Sequence, residues 1–103
     1  VAIAYSDKAE SDLLDILEYG HTAWPGTADD FMVQLQQRIE ATLTSHPSAG
    51  RKGREQGTRE WVLTGTPYIV VYVRRTAGDI EVWRVLHGAQ QWPAAGVVSR
   101  NGR

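Results

Sequence analysis

The 103-residue chain has no cysteine, one methionine, one phenylalanine and four prolines. Without cysteine it can form no disulfide, no thiolate metal ligand and no thiol nucleophile. That suits a reducing compartment, and a cytoplasmic location is the expectation. No apolar run approaches the roughly 20 residues that span a bilayer, and the first residues lack the basic start and apolar middle of a signal peptide. No Gly-rich nucleotide fingerprint follows a strand-like run, GxxxxGK[ST] does not occur, and His21, His46 and His87 have no metal-ligand spacing. The expectation is therefore no cofactor, no metal and no membrane partner.

What remains is the composition of an ordinary soluble domain, 42% apolar and 22% charged, at a length that fits one domain. The net charge of −1 conceals a polarised chain. Residues 1–48 carry eight acids and two bases, net −6; residues 49–103 carry nine bases and four acids, net +5. Such asymmetry is compatible with a polyanionic partner for the second half, or with two solvated faces of opposite sign.

Hydrophobic spacing predicts the elements. Val1–Tyr5 is short, apolar and partly β-branched, a first strand. Ser6 or Asp7 offers a helix N-cap, and Ala9, Leu13, Ile16 and Leu17 form one apolar stripe running to about Tyr19, with Gly20 as the expected stop. His21–Gly26 connects to a second helix from Thr27, with Asp30 three positions on as a weak capping box. Ala28, Phe31, Met32, Leu35, Ile39 and Leu43 mark its apolar face, and Pro47 lies beyond its end. Ser48–Gly57 reads as a basic, Gly-rich loop. Arg59–Leu63, Tyr68–Arg74 and Ile80–His87 read as strands, and the four-residue links between them favour an antiparallel meander. The predicted fold is α+β, ordered β-α-α-β-β-β, with a helical hairpin on one face of a mainly antiparallel sheet. Residues 1–93 form the domain and 94–103 a small, polar, flexible tail.

Three groups of residues could carry function. Arg51, Lys52 and Arg54 lie within four residues on the Gly-rich loop, and Arg59 opens the next strand; arginines on such a loop can hold phosphates bidentately, or simply solubilise a surface. As a surface loop contributes little to the core, replacing these bases by Ala should weaken function more than it lowers stability. Arg84 is expected on one strand face with Ile80, Val82 and Leu86, where it needs a partner such as Glu60 or a cleft. His87, at that strand's end, could act as a general acid or base or be a hydrogen-bonded structural residue. Among the aromatics, Trp61, Tyr68, Trp83 and Trp92 could stack on bases or meet a protein partner, or belong to the core.

The ordered set Gly57-Thr58-Arg59-Glu60, Gly65-Thr66-Pro67-Tyr68-Ile69-Val70-Val71-Tyr72 and Glu81-Val82-Trp83-Arg84-Val85-Leu86-His87-Gly88-Ala89-Gln90 resembles the RelE/ParE toxin superfamily over residues 3–93. Tyr5-Ser6 through Ile16 and the ending His46-Pro47 of the second helix resemble it more loosely. The resemblance implies the β-α-α-β-β-β fold and the toxin of a bacterial type II toxin–antitoxin pair, bound by a cognate antitoxin into a hetero-oligomer. Superfamily members divide into RelE-like nucleases that cut ribosome-bound messenger RNA and ParE-like toxins that poison DNA gyrase without catalysis. Nucleases of the superfamily carry an arginine where this chain has Ile69, a basic residue where it has Gly88, and a tyrosine or histidine pair where it has Gln90-Gln91-Trp92-Pro93. Those departures remove charge that a phosphorane-like transition state needs. They favour the ParE branch, with gyrase as target and no catalysis. A nuclease alternative would draw on Arg51, Arg54, Arg59 and His87, and the basic residues Arg51, Lys52, Arg54, Arg59 and Arg84 are the candidate patch for target or antitoxin.

Overall fold

The computed structural model describes residues 2–88, so the expectations for Trp92 and the 94–103 tail lie outside the described residues. The elements are β1 (Ile3–Tyr5), α1 (Asp7–Ala23), α2 (Ala28–Ser45), β2 (Arg51–Lys52), β3 (Arg59–Val62), β4 (Tyr68–Arg74) and β5 (Ile80–His87). Two helices lie on a five-stranded sheet of order β1-β5-β4-β3-β2. β1 runs parallel to β5, and the remaining pairs are antiparallel. The α+β architecture and the β3-β4-β5 meander follow the sequence expectation. The addition is β2, a two-residue strand inside the basic loop that pairs Arg51 with Glu60 and Lys52 with Arg59.

Ser6 performs the turn from strand to helix. Its Oγ accepts from the Ala9 N–H at 3.0 Å, the N-cap bond, and donates to the Trp83 carbonyl at 2.9 Å. Its own N–H reaches the Val82 carbonyl at 2.9 Å. One residue thus ends β1, starts α1 and ties both to β5.

α1 does not stop at Gly20 but continues to Ala23. A Cβ at Gly20 would sit 2.6 and 2.8 Å from the Trp24 ring and 3.0 Å from the Ala28 Cβ. Glycine is there to let the indole and the second helix approach, not to terminate the first. The stop comes from Trp24-Pro25, since a proline drives the preceding residue out of helical geometry, and Trp24 has φ −146° and ψ 68°. Thr27 does precede α2, but its side chain makes no cap bond to the helix; its hydroxyl lies 3.4 Å from the Trp24 carbonyl, so the capping box with Asp30 does not form.

The core lies between helices and sheet. Ala9, Leu13 and Ile16 of α1 and Leu35, Ile39 and Leu43 of α2 pack on Tyr68, Val70 and Tyr72 of β4 and on Ile80, Val82 and Val85 of β5. A bulge changes the expected alternation in β5. Tyr72 pairs with Val82 and Val71 with Arg84, leaving Trp83 as the extra residue. Beyond it the faces swap. Val85 joins the helix-side core, while Leu86 is buried on the opposite face with Val71 and Val73, so Arg84 does not share one face with Ile80, Val82 and Leu86. Among the described residues no helix is long and apolar enough to cross a membrane.

Candidate functional site

Two regions gather polar and aromatic side chains into candidate sites. One is the loop from the end of α2 to β3. Its most buried group is a carboxylate: Glu60 is 2% exposed. The Arg54 N–H donates to it at 2.9 Å, and the Arg54 guanidinium at 3.0 to 3.3 Å. Arg51 stands 3.8 Å away. Burial pushes the Glu60 carboxyl up, but the hydrogen bonds and charge of Arg54, with the charge of Arg51, outweigh it and hold the group below its ordinary range. Gly50 is required where β2 meets β3, because a Cβ there would lie 2.8 Å from both the Glu60 carbonyl carbon and its oxygen. The buried Tyr72 hydroxyl accepts from the Gly50 N–H at 3.0 Å and donates to the Pro47 carbonyl at 2.8 Å. Arg59 donates to the carbonyls of Ser48 and Gly50, and its buried Nε has no hydrogen-bond partner.

The basic residues of the sequence patch are therefore not equivalent. Arg54 and Arg59 hold the loop's frame, whereas Arg51 and Lys52 are exposed on β2. The expectation that Ala replacements spare stability now applies to Arg51 and Lys52 only. Arg84 is elsewhere. Its partner is Asp12 of α1, not Glu60: Nε and Nη2 reach the Asp12 carboxylate at 2.8 and 3.0 Å, and the same carboxylate accepts from the Val85 N–H at 2.9 Å. β1 pairs with β5 only as far as Val82, so Asp12 satisfies an amide on the uncovered stretch of that strand.

The second region is a cleft of about 1010 Å³ between the helical hairpin, the turn from β3 to β4, and the end of β5. It contains Tyr68 and His87 from the sequence candidates, together with residues that spacing had assigned to helix and connector: Tyr19, Trp24, Phe31, Asp15 and Asp30. The rings touch in sequence. Tyr19 and Trp24 have centroids 6.2 Å apart, Trp24 and Phe31 5.1 Å, Phe31 and Tyr68 6.2 Å, and Tyr68 and His87 6.0 Å. Burial, reinforced by the nearby Tyr19, raises the Tyr68 hydroxyl above its ordinary value. A tryptophan beside a proline in a short connector, four residues after a glycine, was the available signal for this cleft.

The structure does not bring His87 to the basic loop. His87 pairs with Tyr68 and Arg59 with Tyr72 on β4, a separation of roughly 13 Å along that strand, with β4 lying between β5 and β3. Trp61 is half-buried against the core, and the Trp83 Nε1 donates to Glu81 at 3.0 Å, so neither stands beside the cleft rings. Among the described residues no group of three or more His, Cys, Asp or Glu side chains is placed to hold a metal ion.

The fold is shared with a solved structure described as a chromosomal ParDE TA system from P. aeruginosa, with a TM-score of 0.74 over 84% of this chain and 95% of that one at 18% identity. That likeness defines an architecture, two helices packed on a mixed sheet. The family follows from sequence. The model of the ParE toxin of type II toxin-antitoxin system, parDE, matches residues 3–92, and the chain belongs to that family. It is also 39% identical over 69 residues to "Putative toxin Y4kP" of Sinorhizobium fredii (strain NBRC 101917 / NGR234), across 67% of this chain and 69% of that protein. The ParE side of the superfamily resemblance is the right one.

Proposed function

We propose that this ParE-family toxin arrests growth in the cytoplasm by binding DNA gyrase, cuts no RNA itself, and is neutralised by a cognate antitoxin in a hetero-oligomer. The observation that carries this reading is the separation of the would-be nuclease groups. Phosphoryl transfer needs cations and an acid or base converging on one phosphate. Here Arg54 is committed to Glu60, Arg59 donates to loop carbonyls, and His87 sits in a cleft whose other ionisable neighbours are carboxylates and tyrosines. Ile69 and Gly88, where nucleases of the superfamily carry basic residues, support the same reading. Arg51 and Lys52 remain as exposed cations for target or antitoxin.

Purified protein added to a gyrase supercoiling assay should inhibit it in a dose-dependent way, and co-expressed antitoxin should restore both supercoiling and growth. Unimpeded supercoiling, with codon-positioned cuts in messenger RNA by primer extension after induction, would replace this reading with the RelE-like one. Normal growth after induction without antitoxin would leave neither.

A further inference from the structure

The cleft differs chemically from the basic loop. Its lining contains Asp12, Asp15 and Asp30 and neither lysine nor arginine. The charge of Asp12 is matched by Arg84, whereas Asp15 and Asp30 are exposed and have no ion-pair partner among the described residues. Beside these carboxylates runs a chain of four aromatic rings, Tyr19, Trp24, Phe31 and Tyr68, ending on the His87 imidazole, with Tyr19 64% exposed at the other end. Ring faces attract cations, most strongly a guanidinium, and unmatched carboxylates add to that attraction. A phosphate would meet like charge there, so nucleic acid is the wrong occupant. The remaining lining mixes apolar Ile16, Pro67 and Val85 with polar Thr27, Gln34 and Thr66, and about 1010 Å³ exceeds what one side chain fills.

We propose that this cleft docks an arginine side chain presented by an apolar polypeptide segment of a partner protein. The guanidinium lies against the Tyr19–Trp24–Phe31 rings within reach of Asp15 and Asp30, and the flanking aliphatic residues cover the exposed Pro67 and the half-buried Phe31. This goes beyond the choice of cellular target. It concerns recognition of a basic peptide, and its test reads binding rather than growth, so failure of the gyrase reading would leave it standing.

The probe is the capped peptide acetyl-Ala-Leu-Arg-Leu-Ala-amide, titrated into the full chain and followed by heteronuclear NMR, with a twin carrying citrulline, the uncharged isostere of arginine. Saturable shifts should centre on the Trp24 indole and the amides of Phe31, Tyr68 and Asp30. The citrulline twin should bind about tenfold more weakly. The Asp15→Asn/Asp30→Asn double variant should weaken the arginine peptide several-fold while lowering Tm by only a few degrees at most, since both side chains are exposed and Asp30 contributes only a first-turn charge to α2. Equal binding of the two peptides, shifts mapping to the basic loop, or no saturation up to millimolar peptide would each overturn the proposal. If n-butylguanidinium alone bound as tightly as the peptide, the site would be a small-cation pocket and the polypeptide proposal would fall. Should the double variant fail to fold, the citrulline comparison on the unaltered chain still decides.

Discussion

Asp12→Ala should be among the most damaging polar substitutions in the described structure. The carboxylate is 7% exposed and accepts three hydrogen bonds, two from Arg84 and one from the Val85 N–H, at 2.8 to 3.0 Å. Alanine removes all three acceptors at once. The Val85 amide, on a stretch of β5 that β1 does not cover, is left unpaired at a cost of about 1–2 kcal/mol. The Arg84 side chain, 15% exposed, loses its counter-charge. Breaking such a pair from one side costs about 3–5 kcal/mol. Arg84 keeps a further interaction, which puts the expected total near the lower end, about 3 kcal/mol. Against a stability of about 5–15 kcal/mol that is a large fraction, and it lowers Tm by roughly 12–24 °C in a domain of this size. Urea unfolding followed by circular dichroism measures it, with an unchanged m-value confirming that stability alone moved. Asp12→Asn separates the parts: it keeps an acceptor for the amide and loses the charge, so it should cost about half as much. A double-mutant cycle with Arg84→Met should return about 1–2 kcal/mol of coupling. A loss below 1 kcal/mol for Asp12→Ala, or equal losses for Ala and Asn, would refute the role assigned to this carboxylate.

Glu60→Gln should cost about 1–2 kcal/mol at neutral pH, the pair being partly open to solvent through Arg54. Because the folded Glu60 carboxyl is held below its ordinary value of 4.5, its contribution is present above about pH 4.5 and disappears as pH falls through the lower folded value. The variant should flatten the acid limb of a Tm-against-pH curve, and a curve parallel to that of the unaltered chain would contradict this. Tyr72→Phe removes the hydroxyl that serves Gly50 and Pro47 and should lower stability by about 1–2 kcal/mol in urea titrations, with the α2–β2 loop first to lose amide protection. Gly20→Ala would normally add about 1 kcal/mol to a helix. Displacement of the Trp24 ring should reverse the sign to a net loss of about 1 kcal/mol with a shifted Trp emission, and a stabilised variant would show that the indole is not confined.

Elements with one strong periodic signal were legible in the sequence. β4 carries the β-branched run Ile69–Val71 and β5 is rich in Ile, Val and Leu, while α1 and α2 carry apolar stripes, so their existence and order could be read directly. What failed were places where a residue serves a tertiary neighbour. Gly20 has the chemistry of a helix stop, and only the approach of Trp24 and Ala28 explains it as part of the helix interior. The bulge at Trp83 has no local signature, yet it moves Arg84 off the predicted face, and the carboxylate that pairs with it lies on α1, 72 positions earlier in the chain. β2 is too short to generate alternation, and its pairing depends on Gly50 fitting against Glu60. Of the cleft residues, His87 was visible as a candidate because it ends a strand and Tyr68 because it is one of the aromatics of the strand-forming half; Tyr19, Trp24 and Phe31 were absorbed into helix and connector patterns, where an aromatic looks the same whether it packs inward or lines a groove.

The charge of a stretch of chain is a poor guide to the charge a partner meets. The second half is net +5, which invited a polyanion. In the fold Arg54, Arg75 and Arg84 are matched by Glu60, Glu81 and Asp12, and Arg59 by backbone carbonyls, so that Arg51, at 3.8 Å from Glu60, and Lys52 are the patch residues exposed on β2. The acidic half, in turn, spends Asp12 inside the molecule and presents Asp15 and Asp30 at the aromatic cleft. A polyanion gripping the exposed cations would be repelled by the cleft, whereas a polypeptide can carry an acidic stretch for one and an apolar, arginine-bearing stretch for the other. The charges exposed at the surface therefore favour a protein ligand over a nucleic acid, consistent with gyrase and antitoxin as partners and independent of the missing arginines at Ile69 and Gly88.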